Sequence, residues 1–178
     1  MADTQRSIAD LLALLADNCN GEITPQVMRD LVLSLNLAAG FMWVDTPAET
    51  PTAQAGTYYK AAGSTTLAYG QVFTHTDNRL TYTGAEPIQA FVIATTGLSI
   101  ASGSNDLVGI QIAKNDGLIA HSEVRRLINS SPDVGGVGCM ATVELDTNDY
   151  IELWIANHTQ AVNTIVQFMQ MLIIGRTK

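Results

Sequence analysis

Period-two alternation of apolar residues, repeated between short turns, is the feature of this sequence that most restricts its fold. Val108, Ile110 and Ile112 are separated by single small or polar residues, and residues 150–156 repeat the pattern. This spacing is typical of a half-buried β-strand. Further β-branched and apolar runs predict strands at residues 80–83, 88–101 (interrupted at Gly97), 137–145 and 164–174.

The segments between these runs are short and contain residue types that are typical of turns. Asn115-Asp116-Gly117 predicts a hairpin leading into residues 118–120, and residues 146–149 and 157–160 close two other strands. Gly135 and Gly136 are interpreted as a strand entry or bulge. About seven or eight antiparallel strands in so short a stretch predict a sandwich or a jelly roll.

The first forty residues have a different, helical period. Ser7 and Asp10 resemble a capping box, residues 18–21 stop the first helix, and Thr24-Pro25 begins a second. Apolar residues recur on one face of each helix, at Leu11, Leu12, Leu15, Val27, Leu31 and Leu35. Helices of about three turns are marginal alone in water, so we expect this face to pack or dock on something.

These patterns predict a mainly β protein, an antiparallel jelly-roll sandwich with an N-terminal helix-turn-helix arm. We predict three segments: a helical arm at 1–40, a linker with one short strand near Tyr58 at 41–71, and the jelly roll at 72–178. Pro and Gly turn signals in the middle segment, such as Thr46-Pro47, indicate the linker. Helices that precede strands without alternating with them argue against an α/β fold.

The chain is poor in charge: 15% of residues are charged and 47% are hydrophobic, against roughly 25% charged in a typical soluble domain. We therefore expect part of its surface to be covered by other subunits. A compact monomer with a Ser, Thr, Asn and Gln surface is the alternative. In the last predicted strand both faces are apolar or uncharged, which suits cover by a neighbour or by the chain's own loops.

Charge and hydropathy exclude several partners. A net charge of −8 with only Arg125-Arg126 as a basic pair argues against nucleic acid. We expect no membrane span, because no apolar run approaches about 18 residues. The first residues lack the basic start and apolar core of a signal peptide, so we expect a soluble species without export.

No motif predicts catalysis, a metal site or a cofactor. His75, His121 and His158 lie apart, so a metal would need tertiary convergence or a symmetry axis. Cys19 and Cys139 are interpreted as separate buried thiols more readily than as a disulfide. Solvated turns explain the carboxylates at 133, 144, 146, 149 and 152 better than a calcium site does. We expect a protein that is not an enzyme.

Two stretches carry a resemblance to a known family. Residues 8–12 and 17–35 resemble a leader found in structural proteins of tailed bacteriophages. Residues 112–117, 122–126, 138–145 and 149–157 resemble the jelly-roll domain of the same proteins, which is similar in fold to tumour-necrosis-factor and complement head domains. The turn at 146–149 departs from the pattern, since it lacks the glycine common there.

The resemblance implies a homotrimer on the outer surface of a virion, made in the host cytoplasm. The expected role is a capsid decoration or cement protein that binds the major capsid protein and bridges its subunits. Phe168, Met169 and Met171 are predicted at the trimer interface. A tail or head fibre tip that binds a receptor is the alternative, although no repeated shaft precedes the jelly roll. A lectin-like module is a third hypothesis, weakened by an aromatic content of only 6%.

Overall fold

The computed structural model describes residues 37–44, 46–131 and 133–177, together with Asp10, Ala13, Met28 and Leu31. Those four isolated positions are helical. Of the rest of the helical arm predicted at 1–40, residues 38–40 form part of a strand, and the remaining positions before residue 37, including Leu11, Leu12, Leu15, Val27 and Leu35, lie outside the described residues. The arm therefore stays a prediction.

The described chain folds into two antiparallel sheets packed face to face. The strands are β1 (Ala38–Val44), β2 (Ala48–Thr50), β3 (Tyr59–Lys60), β4 (Thr66–Gln71), β5 (Phe73–Thr76), β6 (Arg79–Tyr82), β7 (Ile88–Ile100), β8 (Asp106–Lys114), β9 (Gly117–Leu118), β10 (Val124–Ile128), β11 (Gly135–Leu145), β12 (Tyr150–Asn157) and β13 (Thr164–Thr177). One 3₁₀ turn, Ala120–Ser122, precedes β10. None of the helical positions described belongs to a helix long and apolar enough to cross a membrane.

The strand order shows a jelly-roll kind of connectivity. Sheet A runs β11-β7-β13-β1-β4, with β2 paired to β13. Sheet B runs β10-β8-β12-β6-β5, with β3 on β12 and β9 on β8. Strands β6, β7 and β8 lie in sheets B, A and B in turn, as do β10, β11 and β12, so the chain repeatedly crosses between the layers.

Alternation places one side of each long strand in the core. On β13, Met171 and Ile173 are fully buried and pack with Val92 of β7 and Met42 of β1. Across the layer, β8 and β12 contribute buried side chains such as Ile112. The predicted period-two strands are confirmed, because each buries its apolar set on the inner side, but the predicted half-burial is wrong for β8 and β12, where outward residues such as Gln111 and Glu152 are buried too.

The segment predicted as a linker differs from the prediction. Residues 41–71 contain most of β1 and all of β2, β3 and β4. Strand β1 pairs with β13 on one side and β4 on the other, so it is an interior strand of sheet A. The turn residues at 46–47 and 50–51 indicated a linker, because they separate short strands whose partners in β12 and β13 lie more than ninety residues away. The sandwich accordingly begins at residue 38 rather than 72.

Left-handed backbone conformations hold several turns. Asn115 and Asp116 have φ of 51° and 63°, which matches the predicted hairpin between β8 and β9. Asn148, with φ of 73°, takes the left-handed position in the turn at 146–149 that lacks glycine. Asn tolerates this conformation better than most residues, so the glycine is not required.

Candidate self-association surface

The outward side of sheet A carries a continuous apolar row that crosses five strands. Met140 of β11 pairs with Ile93 of β7, and Ile93 pairs with Leu172 of β13. Leu172 pairs in turn with Phe41 of β1, and Phe41 with Tyr69 of β4. Met140 is 61% exposed and Tyr69 is 53% exposed. Directly opposed side chains on one face lie about 5 Å apart, so the row is a contiguous strip.

Apolar side chains extend beyond this row at both ends of the sheet. Phe91 and Ile174 oppose each other in the next row, where they line a pocket of about 240 Å³ together with Leu37. On the other side, Trp43 of β1 lies opposite Gln170. We call this whole outward side the apolar face of sheet A; its members are Leu37, Phe41, Trp43, Tyr69, Phe91, Ile93, Met140, Phe168, Leu172 and Ile174.

The apolar face of sheet A is large enough to be an interface. Five strands spaced about 4.8 Å apart and four rows about 6.8 Å apart cover roughly 650 Å². This area includes polar residues such as Gln170 and Thr95 between the apolar ones, and it approaches the area of about 800 Å² that a standard protein interface buries on each partner. The face therefore has the size and chemistry of a surface that another chain covers.

A second set of exposed apolar residues is spread along one edge of the sandwich. Leu118 of β9 is 41% exposed, and Val124 and Leu127 of β10 are 38% and 50% exposed. All three lie on strands that pair with the same edge of β8. We call them the β10 edge. Arg126 joins this edge to β11, because its Nη1 donates to the carbonyl of Gly136 at 3.1 Å.

The outward side of sheet B is polar and covered by its own chain. Glu152 of β12 is 1% exposed, with Lys60 Nζ 3.4 Å from one carboxylate oxygen and Trp154 Nε1 donating to the other at 3.0 Å. Burial raises the pKa of Glu152, although Trp154 and Lys60 oppose that effect. Nearby, the Arg79 guanidinium lies 4.5 Å from the Tyr150 ring centroid. The two faces of the sandwich thus differ sharply in chemistry.

The predicted interface residues divide between the two sides of β13. Phe168 is 44% exposed on the outward side, and its ring lies over Gly97 of β7. Met169 and Met171 are wrongly placed by the prediction, because they are 1% and 0% exposed in the core. A bulge between Val166 and Phe168 sets which side each residue takes. Of the predicted docking residues, Leu31 alone is described, as a half-buried helical residue.

Sequence reasoning missed most of the apolar face of sheet A. Met140 and Ile93 lie in predicted strands, at alternate positions with buried Cys139, Ala141 and Val92. A strand that is apolar at both alternating sets of positions indicates that its outward side is covered. Such cover was predicted for the last strand, β13, and for no other. Phe41 and Tyr69 could not be found in this way, because their segment was interpreted as a linker.

The polar candidates do not converge. Within the part of the chain that the structure describes, no group of three or more His, Cys, Asp or Glu side chains could hold a metal ion. Cys139 is a buried free thiol, and burial raises its pKa to about 12. Lys114 Nζ lies 2.6 Å from Asp149, which makes that carboxylate part of a turn network. His75 lies in β5 rather than in a turn, and His121 is exposed in the 3₁₀ turn.

Comparison with known proteins identifies the fold only. No family model and no curated protein sequence matches the chain. Among solved structures, the chain is similar to Eiger TNF from S. frugiperda, with a TM-score of 0.51 and 9% identity over 80% of this chain and 95% of that one. This likeness shows an antiparallel two-sheet sandwich of the jelly-roll kind.

Two other solved structures are similar at lower scores. PRD1 vertex protein P5 matches with a TM-score of 0.48 and 9% identity, over 79% of this chain and 97% of that one. Pika GITRL matches with a TM-score of 0.35 and 14% identity, over 77% of this chain and 94% of that one.

Proposed function

We propose that this protein is a non-enzymatic, oligomeric structural protein of a bacteriophage virion that decorates the outer surface of the capsid. The observation that carries the proposal is the apolar face of sheet A, which spans five strands and is exposed in a single chain. An exposed apolar area of this size costs free energy in water, and covering it with another copy removes that cost.

The two exposed apolar areas favour a ring over a two-fold dimer. The β10 edge lies at one margin of the sandwich, whereas the apolar face of sheet A is broad and outward. A two-fold dimer joining face to face would leave the β10 edge uncovered. If the edge of one copy packs on the face of the next, every copy covers both areas, and such head-to-tail contacts form a cyclic oligomer when the rotation between copies closes. A homotrimer, implied by the phage resemblance, is the ring that we propose.

The virion role is supported by the sequence resemblance at residues 8–12 and 17–35 and at residues 112–117, 122–126, 138–145 and 149–157. With sheet A directed to neighbouring copies, the polar outward side of sheet B faces solvent. The N-terminal arm then remains for attachment, and we propose that it binds the major capsid protein. A trimer attached to several capsid subunits stabilises the shell, because binding the assembled state selectively shifts the equilibrium away from disassembly.

A fibre tip that binds a host receptor is the second candidate. The feature that favours it is the long apolar arm pattern ahead of the sandwich, which could join a fibre as well as a capsid. The two roles differ in copy number, since a decoration protein occupies many equivalent lattice sites and a tip occupies few.

The test has two parts. Light scattering of the purified full chain should give the mass of three protomers; a monomer at micromolar concentration would contradict the oligomer. Quantitative mass spectrometry of virions should then give a copy number on the order of hundreds, and stripping the protein should lower the temperature at which capsids release DNA. A few copies confined to the tail or a fibre would support the second candidate instead.

A further inference from the structure

A compact polar cluster on the outward side of sheet B joins three separate elements. His158 follows β12, Tyr58 ends the loop before β3, and Glu123 and Arg125 lie at the start of β10. Tyr58 Oη donates to Glu123 Oε1 at 2.8 Å, and Arg125 Nε donates to the same oxygen at 2.5 Å. His158 Nε2 is 3.5 Å from that oxygen and 3.4 Å from Tyr58 Oη. Glu123 Oε1 thus accepts hydrogen bonds from Tyr58 and Arg125 and is also close to His158.

The imidazole of His158 is closely confined. Its side chain is 13% exposed and meets the Tyr58 ring edge-on, with centroids 5.6 Å apart. Below both rings lies Gly109 of β8, where an added Cβ would stand 2.6 Å from His158 Nε2 and 2.7 Å from Tyr58 Oη. The cluster therefore leaves little space for water to solvate a charge on the ring.

The charges around His158 balance without a proton on it. Glu123 and Arg125 form an ion pair; Glu123 and Tyr58 contact the imidazole, and Arg125 acts on it through its charge. Burial lowers the pKa of His158, Arg125 lowers it further, and Glu123 opposes both. Burial and Glu123 raise the pKa of Tyr58, so its hydroxyl stays a donor. The closed cluster therefore favours neutral His158.

We propose that His158 is a protonation-operated latch that holds the loop at residues 54–58 against sheet B and opens it in acid. A proton binds more readily to an imidazole in water than to one confined in this cluster, so acid shifts the balance toward the open state. Charged His158 also needs Glu123 Oε1 as its acceptor, and there it competes with the Tyr58 hydroxyl. Once that hydrogen bond breaks, the loop loses its side-chain anchor.

The loop carries its own reporter. The backbone amide of Gly56, in the loop, donates a hydrogen bond to the carbonyl of Asn157 at 2.8 Å. Asn157 directly precedes His158 in the sequence. The protection factor of the Gly56 amide against hydrogen exchange, which corrects for the intrinsic effect of pH, measures how often the loop opens. We expect this protection to fall about threefold or more between pH 8 and pH 5, the range in which histidine changes charge.

Two variants and one direct titration test the latch in the full chain. His158→Gln should keep the protection constant over this range, whereas His121→Gln, which changes an exposed histidine, should retain the wild-type slope. A slope that persists in His158→Gln, or is absent in the wild type, would overturn the latch. Independently of any variant, NMR titration should place the His158 pKa below the ordinary histidine value of about 6.5, and a value at or above it would overturn the latch too.

Discussion

The substitution Met140→Asp tests whether the apolar face of sheet A is covered by another copy. Met140 is 61% exposed and lies on the edge strand β11, so its replacement removes little from the core of the protomer. Full burial of a Met side chain contributes about 1.5–3 kcal/mol, so covering its exposed part contributes roughly 1–2 kcal/mol to association. Burying an aspartate there without a partner costs at least about 2 kcal/mol more.

Together these terms weaken each contact by about 3 kcal/mol or more, which is a rise in Kd of about a hundredfold or more. Sedimentation equilibrium over a dilution series measures that Kd, and circular dichroism checks that the variant is folded. Thr74→Asp is the matched control, because Thr74 is exposed on β5 of the opposite sheet. A folded Met140→Asp protein that associates as the wild type does would refute the assignment of this face, as would equal dissociation of the control.

Three further outcomes follow from the core and the turns. Gly70→Ala should lower the unfolding free energy by about 1–3 kcal/mol in urea titrations, since its Cβ would stand 2.6 Å from the backbone carbonyl oxygen of Phe73. Tyr82→Phe should lower it by about 1 kcal/mol, because the hydroxyl donates to a backbone carbonyl at 2.6 Å; no change in the melting curve would contradict this. Burial raises the pKa of Asp149, but hydrogen bonds led by that from Lys114 outweigh it and lower the pKa. The stabilising contribution of Asp149 is therefore present above about pH 3.9 and lost as the pH falls below that value. In Asp149→Asn, the unfolding free energy should accordingly decrease less than in the wild type when the pH is lowered below about 3.9.

Local sequence patterns predicted the sandwich because each of its long strands obeys a rule that acts within one strand. Alternation at Val108, Ile110 and Ile112 requires only that one side of the strand be buried. The Asn115-Asp116 turn requires only two residues that tolerate positive φ. Neither depends on which strand lies next door, so both were readable from the sequence.

The candidate surface was less readable, because it is a property of strand order. Met140, Ile93, Leu172, Phe41 and Tyr69 come from five strands and are spread from position 41 to position 172 of the sequence, and only the pairing of β11, β7, β13, β1 and β4 aligns them. The bulge in β13 likewise decided that Phe168 faces outward while Met169 faces the core. A change of one residue in register exchanges the two sides of a strand, and sequence alone does not specify a bulge.

By itself, then, the sequence determined a charge-poor β-sandwich with turns in the right places, because alternation and turn chemistry are local. The tertiary structure decided that β1 and β4 belong to sheet A, that its outward side is apolar over five strands, and that His158 meets Glu123 and Tyr58. Those contacts join residues far apart in the chain, and only the packed sheets bring them together.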